Sequence, residues 1–311
     1  MKVCYIIPPL SNTVDLFAEI VLHQPTGVIY LACSSPYTRS HWLPAIGSFN
    51  ATSTANQDYV ATYDPVTSQA TRLSTPDFNK GRGLSLHGMD VVPSSSDPQE
   101  LFIYLVNHRI PVGDRDAHRV GADSVIEIFK TTVGGKALTH IKTVESPIII
   151  APNDVLGSAD GKSFYFTNDH AAKVGLVSSS FLASSASRWR PYNPKMRYSN
   201  LFGAKTSSVG YCHIDDGCKY AITKTQASNG ITAAPNGTVY VADSVRGGVL
   251  FLERQADDTL VVTDSVKTGT NYITQSIYRS LSLGFSPDYI LDNLAVDADG
   301  QLWAAGMYQE T

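Results

Sequence analysis

The sequence predicts an all-β protein, and within that class a β-propeller. Three observations point there. The first is a recurring unit: a polar residue, a run of apolar alternation, a tight turn, then a second apolar strand. Its turns fall at Thr26-Gly27, Asp97-Pro98, Asp160-Gly161, Asn236-Gly237 and Asp299-Gly300, about 63 to 76 residues apart. Gly, Asn and Asp supply the backbone conformations that tight hairpin turns need. The second is spacing. A four-stranded antiparallel blade takes roughly 40–50 residues, more with long loops, so each interval holds one blade. The third is the scarcity of long amphipathic helical patterns.

The elements follow in order. The first blade opens with AEIVLHQPTGVIYLA. The second opens with LHGMDVV and continues through LFIYLVNHR, SVIEIFKTT and ALTHIKTV, with a turn at Val133-Gly134-Gly135. The third opens with APNDVLGSADGKSFYFTND, and YCHIDDGCKY reads as a hairpin tip. The fourth opens with SNGITAAPNGTVYVAD, followed by GVLFLER and TLVVTDSV around Asp257-Asp258. The fifth is LDNLAVDADGQLWAAG, and the sequence stops eleven residues after its turn. That leaves the fifth blade incomplete, and Met1–Pro9 is expected to lend a strand that closes the ring. Ser94–Ser96 and Ser178–Ser187 read as surface loops, and Asn271–Leu283 as a short helix or a loop. One propeller domain is expected over 1–311.

Composition narrows the function. The 311 residues are 43% hydrophobic and 17% charged, with a formal net charge of -4. The apolar content suffices for a sizeable core. No basic run interleaves with aromatics, so a nucleic-acid partner is not expected. No stretch approaches the ~18 apolar residues of a membrane span. The apolar run in MKVCYIIPPL is cut by Pro8-Pro9, too short for a signal peptide's core of about 7–15 residues. The sequons Asn50-Ala-Thr52 and Asn236-Gly-Thr238 lean toward a secretory route. Cys212 and Cys218 bracket the hairpin tip, where either a disulfide or, with His213, part of a zinc site is conceivable. Cys4 and Cys33 read as buried thiols.

The chemistry is expected where the units begin. Glu19, His87, Asn153-Asp154, Asn229 and Asp292-Asn293 each stand just ahead of a predicted inner strand. In a closed ring, equivalent positions point at one axis. Glu19, Asn153, Asn229, Asp292 and Asn293 offer only oxygen ligands, with two carboxylates against three neutral amides. Hard oxygen donors of this kind suit calcium, which takes six to eight at about 2.3–2.6 Å. Zinc would want nitrogen or sulfur. Taken singly, each is an ordinary turn residue; their shared offset favours a site. His87 shares the offset, and His108 ends the next strand beside it, so the two form a candidate general-base pair. Asp154 and Asp169 are candidates to orient the ligand residues or to hold a second metal, and His170 is a candidate pocket-rim residue. No G-x-S-x-G elbow or H-E-x-x-H helix occurs.

On these same residues the chain resembles the serum paraoxonase/arylesterase family, six-bladed propellers related to the gluconolactonases. LHGMDVV, YLVNHR, DSVIEIFKTT, APNDVLGSADGKSFYFTNDH, SNGITAAPNGTVYVAD and LDNLAVDADGQLW carry the resemblance, from Glu19 to Trp303. Loop lengths and the placement of the cysteines around YCHIDDGCKY resemble fungal members. The resemblance implies a catalytic calcium on Glu19, Asn153, Asn229, Asp292 and Asn293, with His87 and His108 beside it. It also implies a second, structural calcium, to which Asp154 and the carbonyl of Met89 correspond. Ile20 stands where that site's Asp is usual, so the second ion is not expected. Met307 replaces a histidine that often follows the LW stretch, and the family's last blade and ring-closing cysteine lie beyond this sequence.

These readings lead to a calcium-dependent hydrolase of lactones or aryl esters acting on a small-molecule substrate. Two alternatives use the same pocket. One is a biosynthetic propeller that orients a polyketide-like metabolite for cyclisation or a hetero-Diels-Alder cycloaddition. The other is a non-catalytic ligand-binding propeller.

Overall fold

The computed structural model describes residues 16–51, 56–78, 82–113, 116–171, 173, 207–244, 247–267 and 289–308. The expectations for Met1–Pro9, Cys4, Ser178–Ser187 and Asn271–Leu283 fall outside these residues, as does the side chain of Met307.

The chain begins with β1 (Leu16–His23) and β2 (Val28–Ser34). An insert follows: helix α1 (Pro36–His41), then β3 (Trp42–Leu43) and β4 (Ser48–Phe49) joined by a 3-10 turn at Pro44–Ile46. Strands β5 (Tyr59–Asp64) and β6 (Gln69–Arg72) complete the first blade, in the order β1-β2-β5-β6. The second blade is β7 (Leu86–Pro93), β8 (Glu100–Arg109), β9 (Asp123–Thr132) and β10 (Thr139–Val144), with helix α2 (Ala117–Val120) between β8 and β9. The third is β11 (Pro152–Gly157), β12 (Ser163–Asn168), β13 (Ser207–His213) and β14 (Gly217–Thr225). The fourth is β15 (Ser228–Ala233), β16 (Val239–Asp243), β17 (Gly248–Arg254) and β18 (Leu260–Lys267). β19 (Tyr289–Val296) and β20 (Leu302–Tyr308) pair as the start of a fifth. The described residues thus hold four complete blades and one inner pair, short of the six implied by the resemblance.

Every one of the five anticipated turns joins the first two strands of its blade, and Gly27, Gly161, Gly237 and Gly300 adopt positive φ there. The innermost strands stand side by side, β1 next to β7, then β11, β15 and β19. Blades pack face to face through strands buried on both sides. In β8, Leu101, Ile103 and Leu105 join Tyr30, Ala32 and Val60 of the first blade. The alternate residues Phe102, Tyr104 and Val106 join Val155, Phe164 and Phe166 of the third. The period of two thus divides one continuous apolar run between two interfaces. Outer strands such as β18 are mostly exposed.

Three buried carboxylates also stitch neighbouring blades. Asp58 accepts the amide of Leu86, Asp90 that of Gly157, and Asp154 that of Ile231, each at 2.8 Å. At the tip between β13 and β14, Cys212 and Cys218 face each other across the ladder and are disulfide-bonded, so the zinc alternative fails. Cys33 is fully buried.

Candidate active site

The site residues were expected ahead of the inner strands; they lie inside them, at an irregularity that recurs in every blade. Pairing of the innermost strand with its neighbour slips between Phe17 and Glu19, Leu86 and Met89, Pro152 and Val155, Ser228 and Ile231, and Leu291 and Leu294. The residues in or bordering the slips are Glu19, His87-Gly88, Asn153-Asp154, Asn229-Gly230 and Asp292-Asn293. A bulge releases residues from the ladder and re-aims their side chains. Two glycines let adjacent bulges touch. A Cβ on Gly88 would lie 2.5 Å from Asp154 Cα, and one on Gly230 2.7 Å from Asn293 Cα.

The carboxylates sense one another across the blades. Burial raises the Glu19 carboxyl well above its usual range, and the charges of Asp154, Asp292 and Asp90 add to this. Burial pushes Asp90 up to about 6 and Asp154 up to about 8. Asp292 is also raised by burial, offset by a hydrogen bond from Asn229 and by the charge of Arg39. Glu19 Oε2, Asn153 Oδ1, Asn229 Oδ1 and Asp169 Oδ1 are buried without a hydrogen-bond partner. Buried polar atoms are nearly always satisfied, so a cluster of bare oxygens calls for a donor or a cation. Among the described residues no three His, Cys, Asp or Glu side chains gather as a ligand cluster. A cation here would need the asparagine amides, a donor set that suits a hard ion. The residues therefore fit calcium.

The candidate second-metal residues make other contacts as well. Asp154 Oδ1 accepts from Val155 N and Oδ2 from Ile231 N, both at 2.8 Å. Met89 packs its side chain between the first two blades, and Ile20 is 41% exposed. Asp169 lies beside Asn153, whose Nδ2 donates to its Oδ2 at 3.5 Å. His170 Nε2 is 3.3 Å from Ala45 O and 3.8 Å from Asp169 Oδ1.

The histidines meet. His108 Nε2 is 3.2 Å from His87 Nδ1, with the rings edge to face at 5.3 Å. His108 Nδ1 is 2.8 Å from Ser124 Oγ, whose residue is the direct cross-strand partner of His108. Burial lowers both histidines, His87 well below its usual value and His108 to about 3, with the Arg39 charge adding to each. Both rings are therefore neutral at pH 7. A cleft beside them is lined by His108, Ser124 and Asp169 and, on its apolar side, by Phe49, Pro44 and Ile150.

Three partners were not legible in the sequence. Ser124 shows itself only through the β8–β9 register. Arg39 and Trp42 arrive on the insert after β2: Arg39 Nη1 donates to Leu86 O at 2.7 Å, and Trp42 Nε1 donates to His108 O at 2.8 Å. The insert thus braces the backbone at both histidine strands. Their only sequence signal was the cap-like SSPYTRSHW run, in which Ser35 Oγ accepts from Thr38 N and Pro36 opens the helix.

Fold and site together define a propeller-type all-β protein with an oxygen-lined centre next to a neutral histidine pair. Residues 41–306 match the family model described as Arylesterase, and the chain belongs to that family. It is 26% identical over 221 residues to serum paraoxonase/arylesterase 2 of Gallus gallus, covering 70% of this chain and 47% of that protein. It is 24% identical over 219 residues to human serum paraoxonase/arylesterase 1, with the same coverage of 70% and 47%. The chain spans about half the length of the curated relatives it matches. Among solved structures, a luciferin-regenerating enzyme gives a TM-score of 0.44 at 13% identity, covering 93% of this chain and 68% of that one. A catalytically inactive virginiamycin B lyase from Staphylococcus aureus gives 0.42 at 14%, covering 96% and 80%.

Proposed function

We propose that this protein hydrolyses esters or lactones of small-molecule substrates and depends on calcium to do so. The observation that carries the reading is the set of bare, buried oxygens on Glu19, Asn153 and Asn229 beside a neutral histidine pair, in a chain of the arylesterase family. Glu19, Asn153, Asn229, Asp292 and Asn293 would hold one calcium. When bound, it supplies Lewis-acid polarisation of the substrate carbonyl. A second ion is not proposed, because Ile20 brings no oxygen ligand to that site.

The chain's own residues handle the proton. With His108 Nδ1–H donating to Ser124 Oγ, His108 Nε2 accepts from His87 Nδ1–H. That polarity leaves His87 Nε2 as an open acceptor. It takes a proton from the attacking water as the water oxygen bonds to the carbonyl carbon. It returns that proton to the departing alkoxide. Such acid–base help is worth about 10²–10⁴-fold. The Phe49, Pro44 and Ile150 wall gives the cleft beside His108 an apolar side.

The test is turnover of γ- and δ-lactones and phenyl acetate, with calcium and after chelation, by wild type and His87→Gln. Turnover lost on chelation and cut by about 10²-fold or more in the variant supports the reading. Bound calcium without turnover of any substrate would move the pocket to the biosynthetic or ligand-binding role.

A further inference from the structure

Arg39 differs from the ion-paired arginines among the described residues. Arg82, Arg109 and Arg254 each pair with a carboxylate. Arg39 makes no ion pair within 4.0 Å among the described residues, and its one hydrogen bond there is from Nη1 to Leu86 O. Yet it is only half-exposed. An uncompensated guanidinium away from water is costly, so a structure that keeps one usually keeps it for a ligand. Asp58 and Asp292 are near enough to favour its charge, and His87 and His108 both feel it. Neither carboxylate closes on it: Asp58 Oδ2 is held by Leu86 N, and Asp292 takes a hydrogen bond from Asn229.

The platform is fixed. Trp42 anchors the insert to His108 O at 2.8 Å, and Ala45 O meets His170 Nε2 at 3.3 Å on the opposite wall. Trp42 is 1% exposed and packs with Phe49, Ala117 and Ala122. With Nη1 tied to Leu86 O, the remaining donors on Nε and Nη2 form a planar fork of the kind that accepts a carboxylate through two parallel hydrogen bonds.

We propose that Arg39 is a carboxylate seat beside His87, binding through the N–H groups not used on Leu86 O a carboxylate on the ligand. The ligand class is a hydroxy acid or a carboxyl-bearing ester or lactone. The carboxylate has two sources, a substituent on the substrate or the acid freed by hydrolysis. The second rests on the hydrolase reading; the binding itself does not.

Calorimetric titration of the calcium-replete protein with 4-hydroxybutanoate, and with neutral 2-pyrrolidinone as comparator, tests it at low salt. Arg39→Met should weaken the carboxylate by about tenfold or more and the lactam by less than about twofold. Arg39→Lys keeps the charge but loses the fork, and should recover part of the loss. Equal carboxylate affinity in wild type and Arg39→Met overturns the proposal. So does an equal loss for both ligands, which would make Arg39 merely a brace for Leu86. Failure of wild type to bind the carboxylate overturns it too. The source is then read from kinetics. A raised KM confined to a carboxyl-substituted γ-lactone assigns a substrate group, whereas a raised inhibition constant confined to 4-hydroxybutanoate assigns the product. If the hydrolase reading fails, no lactone turns over, but the calorimetric difference between wild type and Arg39→Met persists.

Discussion

Gly88→Ala is the sharpest probe of how the fold builds its centre. Gly88 follows His87 in the bulge of β7, and its φ is not in the left-handed region, so alanine carries no backbone penalty there. The penalty is steric. The new methyl would sit 2.5 Å from Asp154 Cα, 2.6 Å from Asn153 O and 2.6 Å from Asp154 Oδ1. Carbon contacts settle at about 3.5–4.0 Å, so the shortfall is about 1 Å on three atoms. Two of those atoms are backbone, and the third is fixed by Val155 N. Relief must therefore move the Asn153–Asp154 bulge of the third blade. Overpacking of this kind costs about 1–3 kcal/mol. Straining the Asp154–Ile231 bond adds about 1 kcal/mol. At about 2–4 °C per kcal/mol, melting should fall by about 5–15 °C. Misplacing Asn153 by about 1 Å should cost about 10²-fold in activity. Differential scanning calorimetry and calcium titration read both effects. Gly27→Ala is the control: its φ is +70° with nothing within 4 Å of a Cβ, so it should lose about 1 kcal/mol and leave calcium affinity unchanged. A Gly88→Ala protein with wild-type melting and calcium affinity would refute the idea that bulge-to-bulge contact sets the site.

The other predictions concern the centre and the disulfide. Asn229→Ala and Asp292→Ala should abolish the melting-temperature rise that calcium gives wild type, about 2.7 kcal/mol of stabilisation at one hundred times Kd; a retained rise would remove these residues from the site. Burial raises the carboxyls of Glu19 and Asp154, Asp154 to about 8, and a bound cation favours their charged forms. Calcium binding should then release about one proton or more, read from binding heats in buffers of different ionisation enthalpy. Identical heats would show these carboxyls already ionised. Ser124→Ala should reduce kcat more than KM, by about tenfold or less, because its hydroxyl orients His108; an unchanged kcat would remove it from the relay. Reducing Cys212–Cys218, which closes a short loop of sequence separation 6, should cost about 2 kcal/mol, seen as a lower melting temperature. No change on reduction would show that the strand pairing alone holds the hairpin.

How much was readable varied by residue. Turn chemistry is local, so Thr26-Gly27 through Asp299-Gly300 could be placed from the letters alone. His87 and His108 were also legible as a pair, because one precedes and one ends adjacent strands of a hairpin, and antiparallel pairing brings such ends together. Gly88 and Gly230 drew no reading from the sequence; in the structure they are contact points between inner strands. Asp58 and Asp90 carried no signal at all. Their roles depend on amides in the neighbouring blade, at Leu86 and Gly157, and no local pattern encodes a partner that far along the chain.

The sequence by itself determined the strand class, the blade-opening units and the residue types available to a hard-ion centre, because periodicity and side-chain chemistry are properties of short segments. Only tertiary structure decided where those side chains point. The bulges that re-aim Asn153, Asn229 and Asp292 and the 3.2 Å approach of His87 to His108 arise from strand pairing within blades, and the arrival of Arg39 at Leu86 from how the first two blades pack. Packing sums many weak contacts between distant segments, and its outcome is not written in any one of them.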